Sequence, residues 1–447
     1  MSDHAHDHAH DHANDHATDH ASDHATEHTD EQLTGRVTEQ GPGGSGLGRR
    51  TFMTMTGLGA AGSVVAGAAS AAADTTGRAA GSAPGSAATV HGREPRLRFR
   101  KDGTYTIVQF NDTQDDEKID RRTLELMRAV LDDEQPDLVI LNGDNITGGC
   151  DTPLEMRQAM NNVVQPMEER QVPWAVTFGN HDEDSTPQSG VDEAQMLAFY
   201  RSYRYNVNGP TAKGVTGQGN SHLLIEGTHG RPAFNVWLLD SGRYAPSTVA
   251  GQNLTGYPTW DWVRMDQVDW YYRTSVELER RWRRAIPSLM FIHIPLWEYR
   301  FMWFGSVDGR TAADHERGAA RHQIVGERNE EECPGPFNSG LFSAIQHRGD
   351  VRGVFCGHDH VNTYSGNYYG VLLGYSGNTG FGTYGLSGAD RNRLRGARVY
   401  HLDESVDGVL VDTAMRFASE FGIDLTADDQ WMEPLPLPRG QGGTAAS

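Results

Sequence analysis

Five short polar motifs in this 447-residue chain each follow directly after an apolar run. The motifs are Asn-Asp-Thr-Gln, Asn-Gly-Asp-Asn, Gly-Asn-His-Asp, His-Ile-Pro and Gly-His-Asp-His, after the runs 105–110, 138–141, 174–178, 288–292 and 351–356. Their potential metal ligands are Asp112, Gln114, Asp144, Asn180, His293, His358 and His360. Oxygen and nitrogen ligands without a thiolate suit Mn, Fe, Zn, Mg or Ca. Seven ligands exceed one tetrahedral centre, but they fit two centres that share a bridging carboxylate.

The apolar runs alternate with segments of helical periodicity, which predicts an α/β fold. Helices are expected over 121–134, where Pro136 ends the pattern, and over 153–170. The runs 97–100 and 105–110 indicate a hairpin around a Lys-Asp-Gly turn. Since α/β folds build their sites at the carboxyl ends of the strands, we expect the five motifs to converge.

In this order, the five motifs resemble those of the calcineurin-like metallophosphoesterase superfamily over residues 97–403. Within that span, the segments 238–242, 260–262 and 266–270 resemble the purple-acid-phosphatase-like branch. The chain departs from the pattern at two positions. Gln114 stands where the superfamily usually has His, and Thr147 stands where the purple enzymes have a metal-binding Tyr.

The resemblance implies an α/β four-layer sandwich, with two mixed β-sheets packed face to face and flanked by helices. It places the site at the edge where strand ends meet. We expect an insertion around 201–287 to form loops and a helix, at 266–284, over this edge. The group of Trp260, Trp262, Trp270 and Trp282 is favoured as core rather than as a stacking platform.

The resemblance also implies two divalent metal ions as cofactors. The first ion would take Asp112, Asp144, His360 and, if it reaches, Gln114; the second would take Asp144, Asn180, His293 and His358. Asp144 would bridge them. Because an amide oxygen at Gln114 replaces an imidazole nitrogen, Mn or Fe is favoured, while Zn and Mg remain alternatives.

His181 lies next to a ligand without being one, and it is our candidate for orienting the phosphate and protonating the leaving oxygen. Asp182 either holds the tautomer of His181 or caps the turn, and both interpretations stay open. Arg300 either contacts the phosphate of the substrate or forms a surface salt bridge. The expected reaction is in-line attack by metal-activated hydroxide, without a covalent intermediate.

The leading hypothesis is therefore an exported phosphoesterase that acts on phosphate monoesters. One alternative is a phosphodiesterase acting on nucleotide or lipid headgroup esters. An alternative of another class is a non-catalytic metal-binding or interaction protein, and Gln114 is the feature in its favour. The net charge of −21 argues against binding to a nucleic-acid backbone or to anionic membranes.

The N-terminal part of the chain indicates export. Residues 1–48 are rich in Asp and His, with nine of the twenty histidines before position 29, and this low-complexity tail is compatible with loose metal binding. Residues 49–73 resemble a twin-arginine signal, from Arg49-Arg50 to a small-residue cleavage site at 71–73. An Ala/Gly/Ser linker over 74–95 precedes the domain at 96–447. We expect a bacterial, secreted or extracytoplasmic protein without a stable membrane anchor, with the twin-arginine export machinery as a partner.

Three cysteines do not make a disulfide framework. One bond, between Cys150 and Cys333, stays open as an alternative. Cys356 lies in an apolar run and is expected to pack as a small hydrophobic residue.

Overall fold

The computed structural model describes residues 95–256 and 260–438, which hold thirteen strands and eight α-helices. In chain order the elements are β1 (Thr104–Phe110), α1 (Arg121–Glu134), β2 (Leu138–Asn142), α2 (Pro153–Arg170), β3 (Trp174–Thr177), α3 (Thr186–Ser189), α4 (Glu193–Tyr200), β4 (Ser221–Glu226), β5 (Pro232–Leu238), β6 (Thr248–Val249), β7 (Gln252–Asn253), α5 (Met265–Trp282), β8 (Ser288–Phe291), α6 (Trp297–Trp303), α7 (Ala312–His322), α8 (Leu341–Arg348), β9 (Val351–Cys356), β10 (Ser365–Tyr368), β11 (Val371–Tyr375), β12 (Gly396–Asp403) and β13 (Leu410–Phe417).

Two mixed sheets form the centre of the fold. The first has the strand order β13-β12-β1-β2-β3, and the second has the order β10-β11-β9-β8-β5-β4. Strands β1, β2 and β3 are mutually parallel, as are β5, β8, β9 and β11, while β12, β13, β4 and β10 pair with their neighbours in antiparallel fashion. The prediction of an α/β fold with two mixed sheets flanked by helices is confirmed.

Side chains of the central strands alternate between two cores. In β1, Ile107 belongs to the core cluster that joins the two sheets, and Val108 belongs to the cluster shared with α1 and α2. In β8, Phe291 joins the core between the sheets, and Met290 packs in the cluster shared with α5 and α8. Strands buried on both faces read as continuous apolar runs, which explains the five runs in the sequence.

The predicted helix boundaries follow from local capping. Asp120 accepts a hydrogen bond from the backbone of Arg122 at the start of α1, and Gln135 ends this helix in a left-handed conformation before Pro136. At the start of α2, Thr152 and Glu155 form a reciprocal capping box.

The predicted hairpin of 97–100 with 105–110 is wrong. Phe99 N donates to Glu226 O at 2.8 Å, and Glu226 N donates to Leu97 O at 3.0 Å, so this segment lies beside β4 of the second sheet. The Lys-Asp-Gly turn thus carries the chain from one sheet to the other. A turn signal predicts a change of direction, but it does not specify which sheet edge each arm joins.

The segment 201–287 contains the expected helix and loops at the site, but it is more than an insertion. It supplies β4, β5 and α5, which are integral to the second sheet and its outer layer. The irregular part of this segment that bears on the site lies between β5 and α5. The pairing of β5 with β8, and of β4 with β5, determines the place of these two strands in the sheet.

The three cysteines are free; Cys150 and Cys356 are buried and Cys333 is partly exposed. The open alternative of a bond between Cys150 and Cys333 is therefore not adopted.

The tail, the signal and the linker predicted for the N-terminal part fall on residues before 95, outside the described residues, and the linker reaches them only at Pro95. Among the described residues, no helix combines the length and the apolar character needed to cross a membrane.

Candidate metal centre

Six buried side chains lie just beyond the carboxyl ends of strands from both sheets. They are Asp112, Asp144 and Asn180 after β1, β2 and β3, and His293, His358 and His360 after β8 and β9. Asn142 holds the two sheets together at this edge, because its Nδ2 donates to Ile292 O at 2.8 Å. Parallel strands bring their carboxyl ends to the same side, so these side chains meet.

Two groups of ligand atoms share Asp144. Oxygen and nitrogen atoms of Asp144, His293 and His358 lie within 4.8 Å of one another, and so do atoms of Asp112, Asp144 and His360. His293 Nε2 lies 3.0 Å from Asp144 Oδ2 and 3.8 Å from Asp112 Oδ1. His360 Nε2 lies 3.3 Å from Asp112 Oδ1. The shared carboxylate is the arrangement expected for a dinuclear centre.

Several polar atoms in this cluster are buried without a hydrogen-bond partner. They are both amide atoms of Asn180 and His358 Nε2, while Asp144 Oδ2 and His293 Nε2 have only each other, at 3.0 Å. Buried polar atoms are nearly always paired, because an unpaired one costs free energy. Divalent cations would satisfy these oxygen and imidazole donors, so the residues fit the pair of metal ions that the sequence predicts.

The backbone at the site is strained. Asp112, Asp144 and His358 have φ values of +49°, +47° and +73°, and Gln114 has a φ of +37°. Non-glycine residues rarely occupy this left-handed region, and such strain concentrates at functional sites. The turns aim three predicted ligands inward at a cost to local stability.

Glycines that precede the ligands are required by close packing. A Cβ at Gly179 would lie 2.3 Å from Asp144 Oδ1, and a Cβ at Gly357 would lie 2.4 Å from Asp112 Oδ2. A side chain at either position would displace a carboxylate. This contact explains why Gly precedes Asn180 and His358 in the motifs.

Hydrogen bonds orient the imidazole and carboxylate groups. His293 Nδ1 lies 3.0 Å from Asn142 O, so this nitrogen carries a proton and Nε2 is the nitrogen that faces the cluster. His360 Nδ1 likewise lies 3.3 Å from Tyr384 O. Asp112 accepts from His358 N at 3.2 Å.

The charges of the cluster are set by burial and by mutual attraction. Burial alone would raise the pKa of Asp144, but nearby His293 and His181 lower it well below its usual range. Burial opposes charge on His293, yet Asp144 and Asp112 raise its pKa to about 10. Burial lowers the pKa of His358 well below its ordinary value. Asp144 is thus ionised and His358 neutral, the forms that bind metal, whereas His293 would have to give up a proton to bind a cation.

His181 is held between two carboxylates. Its backbone N–H donates to Asp144 Oδ1 at 2.7 Å, and its Nδ1 lies 2.5 Å from Asp184 Oδ2. Arg243 donates to the other oxygen of Asp184 at 2.8 Å. Burial opposes charge on His181, but Asp144 and Asp184 outweigh it and raise its pKa.

The structure places Asp184, and not Asp182, against the ring of His181. Asp182 turns the other way and accepts from Gly179 N at 2.7 Å and from Asn145 N at 2.9 Å. A turn closed by Asp184 N to His181 O brings the third residue after His181 beside it, whereas the next residue points into the junction of two loops. Of the two interpretations of Asp182, only the one that holds the turn agrees with these contacts.

Gln114 lies at the edge of the cluster. Its N–H donates to Asp144 O at 3.0 Å, and its Oε1 accepts from Thr383 Oγ1 at 3.0 Å. The same hydroxyl lies 3.4 Å from His360 Nδ1. Gln114 therefore reaches the neighbourhood of the first group of ligands, with its amide oxygen in contact with the hydroxyl that supports His360.

Arg300 is engaged elsewhere. Its guanidinium lies 3.8 Å from Glu331 and above the ring of Phe304. The salt-bridge interpretation agrees with this placement, and no contact between Arg300 and the ligand cluster supports a phosphate-binding role.

The family described as calcineurin-like phosphoesterase matches residues 105–362, a span that includes all five motifs. The chain belongs to the calcineurin-like phosphoesterase family. Over 323 residues the chain is 32% identical to "Probable inactive purple acid phosphatase 14" of Arabidopsis thaliana, covering 66% of this chain and 75% of that protein. It is 31% identical over 342 residues to "Probable inactive purple acid phosphatase 29" of the same plant, covering 69% and 79%. A dimetal phosphatase structure from Danio rerio is 13% identical, with a TM-score of 0.40, and covers 70% of this chain and 99% of that chain.

Sequence reasoning missed the roles of four residues at the candidate site: Asp184, Arg243, Tyr244 and Trp260. The sequence does contain a signal for Asp184: it stands three residues after His181, a spacing that a turn brings into contact. Trp260 was assigned to the core, yet its ring centroid lies 4.5 Å from that of His358. No spacing in the sequence links either aromatic residue to the metal ligands.

Proposed function

We propose that the chain is an exported, dinuclear metal-dependent phosphoesterase that hydrolyses phosphate monoesters. One observation carries the proposal: Asp144 belongs to both groups of ligand atoms, and its buried Oδ2 has no partner but Nε2 of His293, itself a predicted ligand. When bound, a pair of divalent ions supplies positive charge that stabilises the phosphoryl group and activates water. Mn or Fe is favoured by the oxygen-rich donors, with Zn and Mg as alternatives.

The residues around the ligands suit general acid catalysis, in which the leaving group receives a proton. With Nδ1 directed at the carboxylate of Asp184, His181 holds its exchangeable proton at Nε2. Despite burial, Asp144 and Asp184 raise the pKa of His181, which favours the protonated ring that a general acid requires. His181 is 31% exposed in its side chain, so an incoming ester can reach it.

Monoesters are favoured over diesters because the resemblance points to the purple-acid-phosphatase-like branch. Hydrolysis of nucleotide or lipid headgroup diesters is the alternative within the same chemistry. Three relatives carry the word inactive in their names, which keeps a non-catalytic, metal-binding role as the alternative of another class. The intact pair of ligand groups and the Asp184–His181 contact weigh against that role.

The test is turnover by the purified chain loaded with Mn. We expect hydrolysis of p-nitrophenyl phosphate to exceed that of bis(p-nitrophenyl) phosphate, and Asp144→Ala to abolish both activities and metal retention. Asp407→Ala, at an exposed turn, is the matched control and should change neither. Metal binding without turnover would favour the non-catalytic role, and faster hydrolysis of the bis ester would favour the phosphodiesterase.

Export through the twin-arginine machinery is a separate part of the proposal. It rests on Arg49-Arg50, the weakly apolar run and the small residues before position 74. Replacing both arginines by lysine should retain the protein in the cytoplasm of a bacterial host that has this pathway. Continued export of the double variant would contradict the assignment.

A further inference from the structure

Two aromatic rings stand beside the candidate ligands. The ring of Trp260 meets that of His358 edge to face, with centroids 4.5 Å apart and an interplanar angle of 85°. The ring of Tyr244 lies 5.7 Å from Trp260, tilted by 31°, and 6.4 Å from the ring of His181. Tyr244 and Trp260, here called the aromatic wall, thus connect a candidate metal ligand to the candidate general acid.

The wall is held in place by its own loop. Tyr244 and Trp260 pair through an antiparallel bridge between β5 and α5, and Asp261 N donates to Arg243 O at 3.0 Å. The hydroxyl of Tyr244 donates to Asp184 Oδ1 at 3.3 Å. Even so, Tyr244 is 39% exposed. A large ring fixed in position and open to solvent at an active-site edge is suited to contact a ligand.

The charges around the wall do not suit a second phosphate. Arg243 is the cation next to it, and each part of its guanidinium already has a partner. Nη2 bonds Asp184 at 2.8 Å, Nη1 lies 3.4 Å from Glu183, and Nε donates to Asn180 O at 3.1 Å. A neutral planar group suits this environment better than a polyanion.

We propose that Tyr244 and Trp260 bind the leaving group of phosphate esters whose alcohol carries a planar aromatic ring, such as aryl phosphates. This inference rests on the proposed function, because a leaving oxygen within reach of His181 places its substituent next to Tyr244. Aromatic rings prefer offset or edge-to-face packing against one another. The wall therefore selects the alcohol part of the ester, while the ligand cluster holds the phosphoryl part.

The first test measures binding, so it does not depend on turnover. Phenylphosphonate and cyclohexylphosphonate have the same charge and similar shape, but only the first is planar and aromatic. We expect the Mn-loaded wild type to bind phenylphosphonate about three- to tenfold more tightly by calorimetry. Tyr244→Leu and Trp260→Leu should bring this ratio close to one, with metal content unchanged.

Two control variants distinguish loss of an aromatic ring in the wall from loss of the Tyr244 hydroxyl and from loss of a tryptophan elsewhere. Tyr244→Phe keeps the ring and loses the hydroxyl, so it should keep the preference. Trp431→Leu removes a tryptophan that is 59% exposed in the C-terminal segment, and it should also keep the preference. If Trp260→Leu loses metal, Tyr244→Leu decides the question.

The second test measures turnover of phenyl phosphate against a fluorinated alkyl phosphate whose alcohol has a similar pKa. We expect the wild type to prefer the phenyl ester in kcat/KM, and Tyr244→Leu to remove that preference. If the wild type and both leucine variants show the same ratio of aromatic to non-aromatic ligand, in binding or in turnover, the proposed role of the aromatic wall is wrong. A preference for the aromatic ligand in binding, without any turnover, would reject the proposed enzyme activity but would still support the binding role of the aromatic wall.

Discussion

The carboxylate of Asp184 lies 2.5 Å from Nδ1 of His181, while its other oxygen accepts from Arg243. This contact holds a proton on Nδ1 of His181, so Nε2 is the nitrogen left to exchange a proton with the substrate. Asp182, the neighbour in sequence, is occupied by backbone donors instead. The two carboxylates of the same turn thus have separate tasks: Asp184 supports His181, and Asp182 holds the backbone of the turn.

Asp184→Asn should lower kcat by about 10- to 100-fold with little change in metal content, the size of effect seen when the partner of a functional imidazole is replaced. Loss of the negative charge lowers the pKa of His181, so the alkaline limb of the pH–rate profile should move to lower pH. Steady-state kinetics across pH and metal analysis check both. Asp151→Asn, at an exposed position, is the control, and an unmoved limb would exclude Asp184 from positioning His181.

Asp182→Ala should destabilise the fold by about 3 kcal/mol or more, because Gly179 N and Asn145 N would lose a buried acceptor. Urea unfolding of the metal-free protein measures this change. Asp184→Ala serves as the comparison and should cost less, since its side chain is 24% exposed. Equal losses for the two variants would contradict the division of tasks.

Gly179→Ala should abolish metal retention and turnover. The added Cβ would lie 2.3 Å from Asp144 Oδ1 and 2.6 Å from His293 Cδ2, so the bridging carboxylate must shift. Gly148→Ala is a matched control, because its Cβ would meet only Asp184 Cβ, at 3.6 Å. Metal analysis and a thermal shift with added Mn compare the two, and a stabilisation by Mn that survives in Gly179→Ala would count against the close-packing argument.

Gln114→His should raise the ratio of Zn-supported to Mn-supported activity by about tenfold, the scale at which changes around metal ligands act. An imidazole nitrogen would replace an amide oxygen that now accepts from Thr383. Initial rates with the metal-free protein reloaded with each ion give the ratio. Gln346→His, at an exposed position, is the control, and an unchanged metal preference would mean that position 114 does not contact the ion.

Much of the fold could be predicted because its signals are local. Strands β1, β2, β3, β8 and β9 are buried on both faces, so each appears as an apolar run followed by polar residues. The caps of α1 and α2 are also local patterns. The pairing of 97–100 with β4 and the place of β5 in the second sheet depend on partners far along the chain, which no window of sequence contains.

The sequence by itself determined the donor set and its order, because residue types fix which atoms can bind a cation and apolar runs fix which residues follow a strand. Only the tertiary structure decided that Asp144 belongs to both groups of ligands, that Asp184 supports His181, and that Trp260 faces His358 rather than the core. The physical reason is that the sequence does not specify the direction in which each side chain points. A motif fixes the position of a residue along the chain, but the turn conformation and the packing of two sheets fix where its side chain points.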